Sequence, residues 1–175
     1  MKRMVFAALL AAAAVGVQAQ QKGYAEQQGR EIKSLSDQEV EQYLAGAGMG
    51  YAKAAELNHF PGPMHVLELA DQLHLTPTQR GQTKTLMDAH KAEARAIGVR
   101  YVDAERVLEQ LFKKGEIDSE ALAAHVTRAA KLQGEYRLSH LETHRRMRAL
   151  LTEQQVKRYD ALRGYGTGQP QQHRH

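Results

Sequence analysis

Two histidines one helical turn apart are the residues of this sequence best suited to site chemistry. His140 and His144 stand in the stretch "HLETH", and a spacing of four places both imidazoles on one face of a helix, which suits two ligands of one metal ion. The stretch is not a metalloprotease motif, because Leu141 occupies the place of the general base and Glu142 turns to the far side of the helix. The pair therefore indicates metal binding or a structural role, and no hydrolytic site.

Other catalytic patterns are missing from the sequence. It contains no cysteine, no Gly-x-Ser-x-Gly nucleophile motif and no phosphate-binding loop, so we expect neither an enzyme nor a nucleotide-binding protein. The net charge of +4 falls to about +2 when Lys2 and Arg3 are removed with a leader, which is too weak to argue for nucleic acid. We expect no required cofactor, with a divalent metal as the one ligand that the histidines suggest.

Two long helices must position these histidines. The first runs from Pro77 to about Lys113, and the second runs from Ser119 to Leu150 after a stop at Gly115 and a cap at Asp118 or Ser119. Both carry apolar residues mostly in steps of three and four, which is typical of a helix with one buried face. The first stripe consists of Leu86, Ala94, Ile97, Tyr101, Ala104, Leu108 and Leu111. The pattern predicts an antiparallel helical hairpin.

A five-residue motif, Leu-Thr-x-x-Gln, occurs twice, once before the first long helix and once after the second. The copies consist of Leu75, Thr76 and Gln79, and of Leu151, Thr152 and Gln155. In each copy the threonine suits the N-cap, and the glutamine three residues later completes a capping box. Each motif therefore predicts a corner, so that a short helix hooks onto each arm of the hairpin.

The remaining sequence divides into a leader, two polar segments and one helical domain. Residues 1–19 have two basic residues before an apolar run that is too short for a membrane span of about 20 residues, and they predict a secretory signal peptide cleaved near Ala19. Residues 20–35 are polar and without apolar period, and we expect them to be disordered, like the tail at 166–175. The helical domain covers 36–165 and begins with a helix that is capped at Ser36 and interrupted by glycines.

The hairpin register brings more metal-ligating residues to the level of the histidine pair. A turn near residues 114–119 sets His90 and Glu93 beside His140, and folding the first hooked helix back at Thr76 brings His65 to a similar height. The predicted cluster contains His65, His90, Glu93, His140 and His144, a donor set for zinc, copper or nickel. The alternative interpretation is that these side chains form hydrogen bonds between helices or lie at solvated edges.

The paired motifs resemble those of the Spy/CpxP family of periplasmic chaperones. The stretches "PGPMHVLELADQLHLTPTQ" and "HLETHRRMRALLTEQQVKRYDALRGY" add to the resemblance, which covers about Pro61 to Tyr165. It implies an all-α fold with a long antiparallel hairpin, short hooked helices at both arms and a dimeric cradle. It also implies a periplasmic protein that binds unfolded or misfolded envelope proteins without ATP, or a stress adaptor that docks onto a sensor kinase or sigma regulator.

Spy-like cradles mix apolar patches with positive charge, which suggests client-binding residues in this chain. The apolar candidates are Met87, Ile97, Tyr101, Leu108 and Phe112, and the basic ones are Arg145, Arg146 and Arg148. For any one apolar candidate the alternative is a place in the hairpin or dimer core.

Metal sensors and zinc-binding relatives are similar in fold to these chaperones, so a heavy-metal sensor or buffer is the alternative function. The nickel and cobalt sensors carry a His-x-x-x-His pair on the first hooked helix and a His-x-x-x-Met pair on the second long helix. This chain departs from both pairs, since Val66 and Ala70 occupy the first spacing and Thr143 with Met147 the second.

Overall fold

The computed structural model describes residues 24–165, where the regular elements are α-helices joined by turns and loops and no β-strand occurs. The helices are α1 (Asp37–Ala45), α2 (Lys53–Glu56), α3 (Pro63–Glu68), α4 (Pro77–Lys114), α5 (Ser119–Leu150) and α6 (Glu153–Arg163). The all-α class is therefore confirmed. The predicted leader and the tail at 166–175 lie outside the described residues. Among the helices described, none combines the length and the apolar character that a membrane crossing requires.

The two long helices, α4 and α5, form the predicted antiparallel pair. Helix α4 ends at Gly115, whose φ of 68° lies in the left-handed region that favours glycine. The chain turns within a few residues, and the Asp118 side chain accepts a hydrogen bond of 2.8 Å from the Ala121 backbone N–H at the start of α5. The stop and the cap that the sequence predicts thus define the turn of the hairpin.

The core of the hairpin is divided into two clusters along its length. The cluster nearer the hooked helices includes Val66, Leu73, Leu86, Met147 and Tyr159, which bring α3, α4, α5 and α6 together. The other cluster lies nearer the turn and joins α4 and α5 to the residues before Ala45. The end with the hooked helices and the middle of the hairpin therefore each have a third layer of their own.

Residues 31–35 correct the prediction that 20–35 is disordered. Ile32 and Leu35 are buried in the second core cluster. Lys33 forms an ion pair with Glu109, and the Ser34 hydroxyl donates to Glu105 at 2.7 Å. Two apolar side chains three residues apart are enough to hold the segment against α4, although they are too few to show as a period in the sequence.

The interrupted helix predicted after Ser36 is present as α1 and α2, separated by residues 46–52. The Tyr43 ring lies 4.6 Å from the Tyr101 ring and 5.0 Å from the Tyr136 ring, so α1 packs directly on the hairpin. This approach depends on Gly98, because a Cβ there would collide with the Tyr43 backbone carbonyl. The Tyr136 hydroxyl then donates to the Ala47 carbonyl at 2.6 Å, just after α1 ends.

Both corner motifs form the capping boxes that the sequence predicts, and they also contact each other. The Thr76 and Thr152 hydroxyls accept from the backbone N–H groups of Gln79 and Gln155 at 3.1 and 3.2 Å. The two glutamine side chains exchange hydrogen bonds of 2.9 and 3.0 Å. The repeated motif therefore joins the first turn of α4 to the first turn of α6.

Candidate functional site

A histidine pair lies between the long helices, where the hairpin register predicts it. His90 on α4 and His140 on α5 approach within 3.0 Å, measured from Nε2 of His90 to Nδ1 of His140. One ring donates and the other accepts, so at least one of the two imidazoles is neutral. The sequence placed these residues near one level because the short turn fixes how α4 and α5 align.

The surroundings of the pair are apolar and aromatic. His140 is 4% exposed, and its ring lies 4.8 Å from the Tyr136 ring and 6.4 Å from the Tyr51 ring. Burial lowers the pKa of His140 to about 4, with further lowering from the nearby His90 and His144, and burial also lowers the pKa of His90. Both imidazoles are therefore neutral at pH 7.

The outer nitrogens of the pair are buried without a hydrogen-bond partner among residues 24–165. These atoms are Nδ1 of His90 and Nε2 of His140. Buried polar atoms in folded proteins are nearly always hydrogen-bonded, so two such atoms on adjacent rings mark this place as unusual.

A cavity of about 420 Å³ lies beside the pair. Its walls come from α4, α5, the loop between α1 and α2, and the start of α3. Four histidines contribute to the lining, His65, His90, His140 and His144, and three methionines join them, Met49, Met64 and Met87. Glu56 and Arg163 also line it, and this carboxylate accepts hydrogen bonds from the Tyr159 and Tyr165 hydroxyls and the Gly62 backbone N–H.

The five-residue metal cluster predicted from the sequence does not form as expected. Glu93 is exposed and lies outside the cavity lining. The Nδ1 atom of His65 lies 2.7 Å from a Glu68 carboxylate oxygen, and Nδ1–H of His144 donates to the Phe60 carbonyl at 2.7 Å. Within residues 24–165, no three histidine, aspartate or glutamate side chains come together as a metal-binding group.

His144 is held by the backbone just before α3. A Cβ on Gly62 would lie 2.9 Å from the Cε1 and Nε2 atoms of His144, so only glycine leaves room for the ring. Because its Nδ1–H bonds the Phe60 carbonyl, the imidazole also fixes the chain that leads into Pro63. The residue that the sequence suggested as a metal ligand thus has a structural role at this point.

A second surface is a groove of about 550 Å³ between the start of α4 and the end of α5. Its floor is made of small or apolar residues, namely Gly81, Thr85, Leu86, Ala89, Ala149 and Leu150. Arg145 and Arg146 lie at its edge, with Gln82. We refer to these residues as the arginine groove. It is an open, mostly apolar surface with a positive rim.

The predicted client-binding residues are distributed over several environments. Ile97 and Tyr101 are 7% and 5% exposed and belong to the core under α1, which corrects their assignment as surface contacts in this fold. Met87 lines the histidine cavity and Leu108 is half-buried. Phe112 is 57% exposed near the turn of the hairpin.

The three arginines lie near one another but differ in their partners. Arg145 forms two hydrogen bonds of 2.7 Å with Glu142, and Arg148 pairs with Glu153 at 2.5 Å. Arg146 is exposed, and no carboxylate within residues 24–165 forms a salt bridge with it. Arg146 is therefore the arginine of this group whose charge is most available to a partner.

Sequence reasoning missed the floor of the arginine groove and the methionines of the cavity. Gly81, Thr85 and Ala89 are spaced by four on α4, and this run of small residues was the available signal. Met87 precedes His90 by one turn of the same helix, a spacing that places both side chains on one face.

One comparison with known proteins identifies a similar group. A family model described as LTXXQ motif family protein matches residues 63–163, which is more than half of the chain. The match begins at α3, includes both capping motifs and ends with α6. No curated protein and no solved structure matches the chain significantly.

Proposed function

This chain belongs to the LTXXQ motif family, which includes Spy/CpxP-like proteins, and we propose that it is a periplasmic chaperone that binds unfolded envelope proteins without ATP. Proteins of this family are generally secreted or periplasmic. The secretory leader predicted for residues 1–19 supports the same compartment for this chain.

The arginine groove is the observation that carries the proposal. Its small residues allow an extended peptide to lie close to the backbones of α4 and α5, where apolar side chains of an unfolded client lose contact with water. At the rim, Arg146 has no salt-bridge partner within residues 24–165 and can pair with an acidic side chain of the client. This combination fits an apolar segment with acidic residues nearby.

Release must follow from weak binding, because the sequence has no nucleotide motif to drive it. The groove is open on one side, so a client buries only part of its surface there and dissociates quickly. A client segment that folds buries its own apolar residues and no longer competes for the groove. Rapid exchange of this kind would suppress aggregation without holding the client permanently.

Aggregation of an unfolded client, followed by light scattering without ATP, tests the proposal. We expect the protein to slow aggregation at severalfold molar excess, and Arg146→Glu to weaken this effect several-fold, most strongly for acidic clients, because the rim charge is reversed. Arg128→Glu is the matched control, since Arg128 is exposed on the same helix but outside the groove.

Two outcomes would count against this function. A protein that suppresses aggregation of no client at severalfold excess is not a chaperone of this type. Equal losses in Arg146→Glu and Arg128→Glu would instead show that total charge, rather than the arginine groove, determines the effect.

A further inference from the structure

Histidine and methionine are concentrated at the cavity beside the His90 and His140 pair. Residues 24–165 contain seven histidines and four methionines, and four of those histidines and three of those methionines line this one cavity. Imidazole and thioether groups together form the donor set of a soft metal ion. We propose that the cavity binds one monovalent copper ion, Cu(I), through His90, His140 and Met87.

The three proposed donors come from two helices that face each other. Met87 and His90 are three residues apart on α4, so they are neighbours on its surface, and both line the cavity. His140 reaches the same place from α5, with its Nδ1 atom 3.0 Å from Nε2 of His90. The site is thus carried by the rigid hairpin rather than by a loop.

Coordination of one ion by both histidines requires that the hydrogen bond between the two rings is given up. Whichever ring donates in the hydrogen bond between them, one outer nitrogen keeps a lone pair with no partner within residues 24–165. His140 is almost completely buried, so water outside the protein does not satisfy it. The other outer nitrogen carries a proton, so an ion held by both rings has to replace the hydrogen bond between Nε2 of His90 and Nδ1 of His140, after which both protons lie on the outer nitrogens.

The choice of Cu(I) over a divalent ion follows from the donors and the charges. No three histidine, aspartate or glutamate side chains group together in the described chain, whereas the Met87 thioether lies one turn from His90 on the same wall of the cavity, and soft Cu(I) accepts a thioether that harder divalent ions do not favour. The lining also carries Lys53, Lys91 and Arg163 against the single carboxylate of Glu56. This positive surplus disfavours a divalent cation more than a monovalent one.

An anaerobic titration with Cu(I), in competition with the chromophoric chelator bicinchoninate, tests the proposal on the purified protein. We expect one Cu(I) per chain, and at least a tenfold loss of affinity in Met87→Leu, which keeps the side-chain volume but removes the sulfur. Met147→Leu is the control, because Met147 is fully buried in the core cluster that contains Leu86 and does not line the cavity. Its affinity should equal that of the wild type.

A second measurement identifies the ligand directly. X-ray absorption at the copper edge should show a sulfur neighbour in the wild type and in Met147→Leu, and none in Met87→Leu. The double variant His173→Gln/His175→Gln should bind as the wild type does, which excludes binding by the terminal "HRH" stretch. Circular dichroism tests whether each variant is folded. If Met87→Leu does not fold, the loss of Cu(I) affinity in His140→Gln provides an independent test of the site.

Several results would overturn the copper site. The first is the absence of stoichiometric Cu(I) binding in the His173→Gln/His175→Gln variant. The second is an equal loss of Cu(I) affinity in Met87→Leu and Met147→Leu. The third is an affinity for zinc or nickel that equals the affinity for Cu(I) and is unchanged in Met87→Leu. The aggregation assay is run without copper, so its result and this one are independent.

Discussion

At the scale of single residues, burial rather than ion pairing determines the protonation state of His140. The ring is enclosed by Tyr51, Tyr136 and His90, and no carboxylate within residues 24–165 forms a salt bridge with it. With no negative charge to stabilise an imidazolium, the charged form is disfavoured in the folded protein.

The pH dependence of stability should follow from this burial. The pKa of His140 is about 4 in the folded chain and about 6.5 in an unfolded one. Between these values the unfolded state binds more protons, so the free energy of unfolding should fall as the pH is lowered from about 6.5 towards 4. Denaturant unfolding at a series of pH values, with a chelator present to exclude metal, measures this slope.

His140→Gln should reduce that slope, because glutamine does not titrate. His125→Gln on the same helix is the control, since His125 lies outside the cavity, and it should leave the slope close to that of the wild type. Identical slopes for the wild type and His140→Gln would mean that other groups control the acid sensitivity.

Part of the histidine site could be predicted and part could not. His90 and His140 meet because a tight turn with recognisable stop and cap residues sets the register of two long helices. The bond from His144 to the Phe60 carbonyl depends on the irregular chain between α2 and α3, for which the sequence has no periodic signal. The His65 side chain forms a hydrogen bond with Glu68 on its own helix. Residue spacing is compatible with both this local bond and metal binding, and it does not show which of the two forms.

At the scale of the elements, the two copies of Leu-Thr-x-x-Gln act as one unit. The Gln79 Oε1 atom accepts from the Thr76 backbone N–H at 3.1 Å and from the Gln155 side chain at 3.0 Å. Gln155 repeats this pattern with the Thr152 backbone N–H and Gln79. The remaining amide hydrogens bond the Leu150 and Leu73 carbonyls, at the ends of the preceding segments. Each glutamine therefore caps its own helix and holds the other corner.

A double-mutant cycle should detect this contact. Gln79→Ala and Gln155→Ala each remove a capping-box bond and the shared pair, so their effects on the free energy of unfolding should not add, with a coupling of about 0.5–1.5 kcal/mol. Chemical denaturation of the two single variants and the double variant measures the coupling.

Gln154 provides the matched control for that cycle. It is exposed, adjacent to Gln155 and outside the contact, so Gln79→Ala combined with Gln154→Ala should show additive effects. Additivity in the Gln79 and Gln155 cycle as well would mean that the motifs act only as separate caps.

The helices themselves were largely predictable, because strong local signals agree. Caps at Ser36, Thr76, Asp118 and Thr152 and the stop at Gly115 appear where the sequence places them. The contact between the glutamines was not predictable, because Gln79 and Gln155 are 76 positions apart. Their capping role already accounts for both residues in the sequence, so nothing there indicates a further contact. The ordered structure of residues 31–35 was not predicted for a related reason: contacts with residues distant in the sequence, and no local pattern, hold this segment in place.

At the scale of the whole molecule, the hairpin is covered unevenly along its length. Helices α3 and α6 cover the end with the corner motifs, and residues 31–51 cover the middle. Between Ala104 and Ala129, around the turn, no residue is fully buried. Apolar side chains remain exposed there, including Val107, Phe112, Leu122 and Val126. Two helices alone cannot bury the apolar faces that each presents.

We therefore expect a second copy of the chain to cover this end of the hairpin, in agreement with the dimer that the Spy/CpxP resemblance implies. A symmetric dimer brings the same apolar patch from both chains together. Phe112→Asp combined with Val126→Asp should shift the protein towards monomer in sedimentation velocity, because each chain then places two carboxylates in the contact. Leu138→Asp is the control: Leu138 is 63% exposed but lies in the middle of α5, away from the turn, so that variant should remain dimeric. A monomeric wild type would exclude this self-association. A dimer that persists in the double variant with its helical content intact would place the contact between chains elsewhere.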